Sequence, residues 1–213
     1  MRVLLIHGLA RTSLSLMGLE QRLRQTGYVT EHFGYFAIAE SFDSIVERLH
    51  LRLQQIAMQG PYAVVAHSLG GILTRAALAR GQVRDPVQIV MLGTPNQPPR
   101  LAVHAWRVPP FRWFTGQCGF KLTCSQFYGG LPMVQSPYTI VAGTLGPRGP
   151  LSPFGDEIND GIVALSETRI LPQDAIVQLP VWHTFMMNDA RVQDVVIQSL
   201  MGMGSGPSSS AKS

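Results

Sequence analysis

Tyr62-Ala63-Val64-Val65-Ala66-His67-Ser68-Leu69-Gly70-Gly71 is the stretch around which the rest of the chain is organised. It begins as a short apolar run, rich in Val, of the kind that forms a strand buried on both faces. It ends in small residues and opens into Ile72-Leu73-Thr74-Arg75-Ala76-Ala77-Leu78-Ala79, good helix formers with an apolar stripe. Ser68 therefore falls on a sharp strand-to-helix turn. Such a turn lifts a hydroxyl off the sheet edge and points the first N–H groups of the helix at whatever the hydroxyl attacks. Strand and helix pass close together there, so small residues are needed on both sides. Ala66 and Gly70 stand two positions before and two after the serine. The plainer reading of these residues is an ordinary turn with a helix-capping serine, and the remainder of the chain decides between the two.

Towards the N-terminus, Arg2-Val3-Leu4-Leu5-Ile6 reads as a buried strand with His7-Gly8-Leu9-Ala10-Arg11 as the turn at its end. Thr12 and Ser13 are N-cap candidates for a helix through Leu14, Leu16, Met17, Leu19 and Leu23, closed by Gly27. Tyr28 to Tyr35 gives a second strand. Ser41 and Asp43 can cap a helix with apolar positions Phe42, Ile45, Val46, Leu49, Leu53 and Ile56, ended by Gly60-Pro61. Towards the C-terminus, Gly81 stops the helix after Ser68, and Val87 to Leu92, Tyr138 to Gly143 and Ala175 to Pro180 read as three further strands. A final helix uses Phe185, Met186, Val192, Val195, Val196 and Leu200. Strands alternating with helices imply βαβ units and a parallel sheet. Functional groups then gather beyond the carboxyl ends of the strands, where His7 to Arg11, Ser68 and Gly93-Thr94-Pro95 all fall. The pattern gives one α/β domain over 1–201 and a disordered Gly/Ser tail over 202–213.

Hydrophobic residues make up 46% of the 213, charged residues only 14%, and the net charge is +4. So little charge leaves room for apolar surface patches, which would suit a lipid-like substrate or a partner. No basic run or aromatic-interleaved stripe is present, which argues against nucleic acid as a partner. Weak attraction to an anionic membrane surface stays open. The opening apolar run is too short for a signal peptide and no stretch is long enough to span a membrane, so a cytoplasmic protein is expected. Cys118 and Cys124 fit neither a zinc site nor a redox motif and are expected to be reduced thiols, with a loop-stapling disulfide, which would argue for an oxidising compartment, as the alternative.

Residues 96–137 differ from the rest. Six prolines interrupt them, and they carry Trp106, Phe111, Trp113, Phe114, Phe120, Phe127 and Tyr128. The segment is too long for a plain connection. We read it as a cap-like excursion over the strand ends, with Trp106, Phe111, Trp113 and Phe114 as candidates for lining a substrate pocket. Filling of core beneath a long loop is the alternative role for these aromatics.

A serine hydroxyl is a weak nucleophile until a base takes its proton, and the base is usually a histidine oriented by a carboxylate. Of the six histidines, only His183 lies in a loop after the fifth and sixth strands. His7 and His67 belong to the turns at the site, as a turn brace and a buried core histidine. Asp160 is the candidate acid, because Gly161 after it suits a tight turn that presents the carboxylate. Asp156 and Glu157 are rivals without that glycine. Asp174 sits at the wrong end of the sheet, and Asp189 in the helix past His183.

Taken together, His7-Gly8-Leu9, Ala66-His67-Ser68-Leu69-Gly70-Gly71, Gly93-Thr94-Pro95-Asn96, Asp160-Gly161-Ile162-Val163 and His183-Thr184 resemble a bacterial lipase or esterase of the α/β-hydrolase superfamily. Ala66 replaces the commoner Gly of the nucleophile elbow. The resemblance runs from about Arg2 to Leu200 and is to compact lipases that lack the first two strands of the full fold. It implies about six mostly parallel strands in the order 2-1-3-4-5-6, and the chain order Ser, acid, His. It implies that Ser68 attacks an ester, His183 is the base and Asp160 orients it. The N–H groups of Leu9 and Leu69 would form the oxyanion hole. The partner would be a small acyl ester or lipid, with no metal and no organic cofactor. Thioesterase, acyltransferase, amidase and phospholipid deacylase are alternatives on the same groups. A binding protein that kept the fold and lost the chemistry is a further one.

Overall fold

The computed structural model describes residues 1–202, without the side chains of Phe111 and Phe114. From residue 203 on, the expected tail lies outside the described residues. Strands β1 (Arg2–Ile6), β2 (Val29–Phe33), β3 (Tyr62–His67), β4 (Gln88–Leu92), β5 (Tyr138–Gly143) and β6 (Ile176–Leu179) form one sheet in the order β2-β1-β3-β4-β5-β6. Every neighbouring pair is parallel. The helices are α1 (Met17–Gln25), α2 (Phe42–Ala57), α3 (Leu69–Leu78), α4 (Arg100–Ala105), α5 (Pro109–Thr123), α6 (Ser125–Gly129) and α7 (Ala190–Met201).

The inner strands β1, β3, β4 and β5 are mainly apolar because helices cover both faces of the sheet, whereas the edge strands β2 and β6 are more polar or more exposed. Alternate residues go to opposite sides. Leu4, Ile6, Val64, Ala66, Ile89 and Met91 pack with Ile45, Leu49 and Leu53 of α2 and with Ile72 and Leu73 of α3. Val3, Leu5, Ala63, Val65, Val90 and Leu92 pack with Leu19 and Leu23 of α1 and with Val192, Val196 and Leu200 of α7. All of β3 is buried. Its carboxyl end, where Ser68 stands, is therefore held from both faces and by strands on both sides.

Two helices differ from the sequence reading. The first begins as a 3-10 turn over Ser13–Leu16 and becomes α-helical only at Met17, and Thr12 makes no side-chain cap. The tighter turn takes Leu14 and Met17 off the buried stripe, leaving them 70% and 55% exposed. The final helix is two pieces. His183–Asn188 is a 3-10 segment, and α7 starts afresh with Asp189 as its N-cap, the carboxylate accepting from the Arg191 N–H. Asp189 thus ends one element and begins the next, and Phe185 is left exposed. Ser41 caps α2 as expected, its hydroxyl accepting from the Ser44 N–H at 3.1 Å.

The 96–137 excursion carries α4, α5 and α6, and α5 is broken at Gly116 (φ 51°, ψ −141°). Cys118 and Cys124 are both free thiols. Among the described residues no helix is long and apolar enough to cross a membrane.

The first turn of α3 passes so close to β1 that a Cβ on Gly70 would lie 2.8 Å from the carbonyl oxygens of both Ile6 and His7. These are backbone atoms and cannot turn aside. Gly70→Ala should therefore cost about 1–3 kcal/mol of stability, measurable by urea unfolding. A variant as stable as the parent would contradict this packing.

Candidate active site

Ser68 has φ 53° and ψ −122°, a conformation that side chains other than glycine rarely adopt. It is held there by hydrogen bonds on both sides. Its N–H donates to the Leu92 carbonyl at 2.8 Å, extending the β3–β4 ladder, and its own carbonyl accepts from the Gly71 N–H at 3.0 Å. The chain must turn abruptly between them, which directs the side chain away from the sheet.

His183 opens the 3-10 segment after β6, with its ring 3.0 Å (Nε2) from the Ser68 Oγ and 2.7 Å (Nδ1) from the Asp160 Oδ2. An ionised carboxylate can only accept, so Nδ1 donates to Asp160 and Nε2 is left to accept from the Ser68 hydroxyl. Asp160 is buried. Its other oxygen accepts from the Ile162 and Val163 N–H groups at 3.0 and 2.7 Å. The Asp160 carbonyl also accepts from the His183 N–H at 2.9 Å, tying the two loops together by backbone as well as side chain. Gly93 makes room for the ring: a Cβ there would lie 2.9 Å from the His183 Nδ1.

Three of the rival carboxylates are engaged elsewhere, and the fourth, Asp156, is exposed. Glu157 pairs with Arg100 and accepts from the Ser166 N–H. Asp174 accepts from the Tyr138 hydroxyl at 2.7 Å, and Asp189 caps α7.

Leu69 is the first residue of α3, so its N–H has no acceptor inside the helix. Leu9 and Ser68 line the same cavity. The turn that carries Leu9 is braced by His7. The His7 Nδ1 donates to the Gly8 carbonyl at 2.9 Å, while Nε2 faces the Tyr35 N–H at 3.4 Å. The His7 ring stacks on Tyr35 at 4.2 Å, and the Tyr35 hydroxyl donates to the His7 carbonyl at 2.9 Å. Burial lowers the His7 pKa, which keeps the ring in the neutral form that this pattern requires. His67 lies beneath His183, with Nε2 3.1 Å from the His183 carbonyl. Burial, and then the neighbouring His183, push the His67 pKa well below its ordinary value. No motif pointed to Tyr35; it reaches His7 only because β2 lies next to β1.

A cavity of about 630 Å³ opens beside Ser68 and His183. Among the described residues its wall is largely aliphatic, with Pro99, Leu101, Ala102, Ala105 and Leu122 from the excursion and Ile162 and Val163 from the loop that carries Asp160. Of the four aromatic side chains expected to line it, only Trp106 and Trp113 are described. Trp113 is 75% exposed, and Trp106 packs against Phe120 at 5.8 Å; neither lines the cavity. Phe111 and Phe114 lie outside the described side chains. The excursion lines the cavity through Leu101, Ala102 and Ala105 of α4, of which Leu101 and Ala105 are spaced to share a helix face. Among the described residues, no group of three or more His, Cys, Asp or Glu is placed to hold a metal ion.

No protein-family model and no curated protein matches the sequence. Solved structures do match. A mature lipase of Bacillus licheniformis, BlEst2, is 19% identical, with a TM-score of 0.73 over 94% of this chain and 91% of that one. The RedJ thioesterase of prodiginine biosynthesis in Streptomyces coelicolor is 14% identical, with a TM-score of 0.62 over 95% and 85%. A thermophilic esterase of Thermogutta terrifontis is 13% identical, with a TM-score of 0.61 over 96% and 91%. The parallel sheet, its strand order and these likenesses together give the chain the α/β-hydrolase fold.

Proposed function

We propose that the protein is a serine hydrolase that cleaves carboxylic esters. The observation that carries this reading is the unbroken hydrogen-bond chain from Ser68 through His183 to Asp160, set at the mouth of a mainly apolar cavity. In this mechanism the Ser68 Oγ bonds to the ester carbonyl carbon while its proton passes to the His183 Nε2. Asp160, fixed by two N–H donors, stabilises the imidazolium. The Leu9 and Leu69 N–H groups hold the oxyanion; one such donor is typically worth about 10²–10³ in rate. The C–O bond then breaks, His183 returns the proton to the leaving alcohol, and an acyl-enzyme remains. Water attacks it by the same route and restores Ser68. The chemistry calls for no metal or organic cofactor. Thioesters are a second substrate class, supported by the likeness to a thioesterase.

Ser68→Ala should lower kcat by a factor on the order of 10⁶ while leaving the fold intact. A fluorophosphonate probe should label the parent at Ser68. Retained turnover in the pure variant would remove Ser68 from the mechanism.

Asp160→Asn should cost about 10⁴ in kcat, because an amide favours the wrong imidazole tautomer. Asp156→Asn should change kcat little. The reverse ranking in a steady-state comparison would move the acid to Asp156.

Acyl-chain preference should follow the aliphatic wall. Each buried methylene is worth about 0.8 kcal/mol, so hexanoate should exceed acetate in kcat/KM by roughly ten- to a hundredfold when the chain is partly buried. Ala102→Phe, which intrudes on that wall, should flatten the series. An unchanged chain-length slope in this variant would place the acyl group elsewhere.

A further inference from the structure

Among the described residues lining the cavity at Ser68, Arg11 is the one Arg, Lys, Asp or Glu. Its Nη2 donates to the Thr184 carbonyl at 3.1 Å, which holds the guanidinium against the residue that follows His183. Its charge acts on His67, directly beneath His183. No carboxylate among the described residues forms an ion pair with it, whereas Arg2, Arg48, Arg52, Arg100 and Arg191 all have such partners. A guanidinium carries five donors in a fixed fork suited to a carboxylate or phosphate. Here one is used on a carbonyl, in a cavity whose other walls offer little to a charge.

The backbone supports a role in holding a ligand. Ala10, between Leu9 and Arg11, has φ 53°, a conformation costly for a residue with a side chain. Such strain clusters where a ligand is gripped. Arg11 also borders a second cavity, of about 210 Å³, whose far wall is Tyr35, Phe36, Ala37 and Ile38. It therefore stands between the space beside the Ser68 hydroxyl and a neighbouring cleft large enough for part of an alcohol.

On these grounds, and resting on the ester-hydrolase reading above, we infer that the substrate is an acyl ester whose alcohol part carries an anionic group, a carboxylate or a phosphate, bound by Arg11. The assignment to the alcohol side follows from Thr184. His183 hands its proton to the leaving oxygen, and Arg11 is held at the next residue, while the aliphatic wall of α4 and α5 takes the acyl chain.

The test uses butyrate esters of three phenols: 4-hydroxybenzoate, 4-hydroxyphenyl phosphate and the neutral methyl 4-hydroxybenzoate. For each, kcat/KM is divided by the rate of hydroxide-catalysed hydrolysis to remove leaving-group reactivity. The parent should favour the anionic esters on the order of tenfold, and the preference should shrink in 1 M salt. The larger of the two anionic ratios assigns carboxylate or phosphate. Arg11→Gln should abolish the preference, and Arg11→Lys should retain part of it. A parent with no preference for either anion overturns the inference. So does an anionic-to-neutral ratio that Arg11→Gln leaves unchanged while all three rates fall together; Arg11 is then only a strap for the His183 turn. Failure of the hydrolase reading has a different signature, in which no ester is cleaved and the fluorophosphonate leaves Ser68 unlabelled, and both readings then fall.

Discussion

The hydrogen bond from the Ser68 N–H to the Leu92 carbonyl is the constraint on which the site depends. It carries the β3–β4 ladder one residue past the end of β3, into a residue with a positive φ. Left to itself, Ser68 would relax from that conformation, which costs about 1–3 kcal/mol. It stays because β3 is buried on both faces and its neighbours β1 and β4 are buried too. The helix that follows is pinned to β1 through the close approach at Gly70. A rigid parallel sheet thus supplies the strain, and the strain presents the hydroxyl.

Around that point the polar groups form a nested set with little exposure. Asp160 is held by two N–H groups, His183 by Asp160 and by its own backbone bond, and His67 supports His183 from below. Each group is oriented by the one behind it, so no long flexible side chain is needed to set the geometry. Burial lowers the pKa of both His7 and His67 and so keeps added positive charge away from His183. Arg11 is the exception, a fixed cation admitted at the cavity wall.

The excursion between β4 and β5 shows that composition alone does not place a tryptophan in a pocket. Its tryptophans are candidates for a pocket because large aromatics commonly build binding sites. Trp113 instead faces solvent and Trp106 packs within the excursion. Among the described residues, the small side chains of Ala102 and Ala105 are part of the wall beside Ser68. A cavity is a deficit of side-chain volume, and small residues scattered through a helix leave no distinctive mark in a sequence.

What the sequence determined by itself is what depends on local periodicity and turn chemistry. The apolar runs of β1, β3, β4 and β5 marked strands buried on both faces, and the alternation with helices required a parallel sheet. The small residues flanking Ser68, and the glycine after Asp160, marked the two turns that bring serine and carboxylate to one edge. The tertiary structure alone decided the relations between segments distant in the chain. These include the 3.0 Å approach of His183 to Ser68 across 115 positions and the brace from Tyr35 to His7. They also include the aliphatic wall of the cavity and the hold of Thr184 on Arg11. The split of the last helix at Asp189 belongs here too, since a capping aspartate reads equally well as an exposed helical one until the position of the 3-10 segment carrying His183 is known. Local patterns follow from the pitch of helix and strand, whereas contacts across the chain follow from packing, which no short window of residues contains.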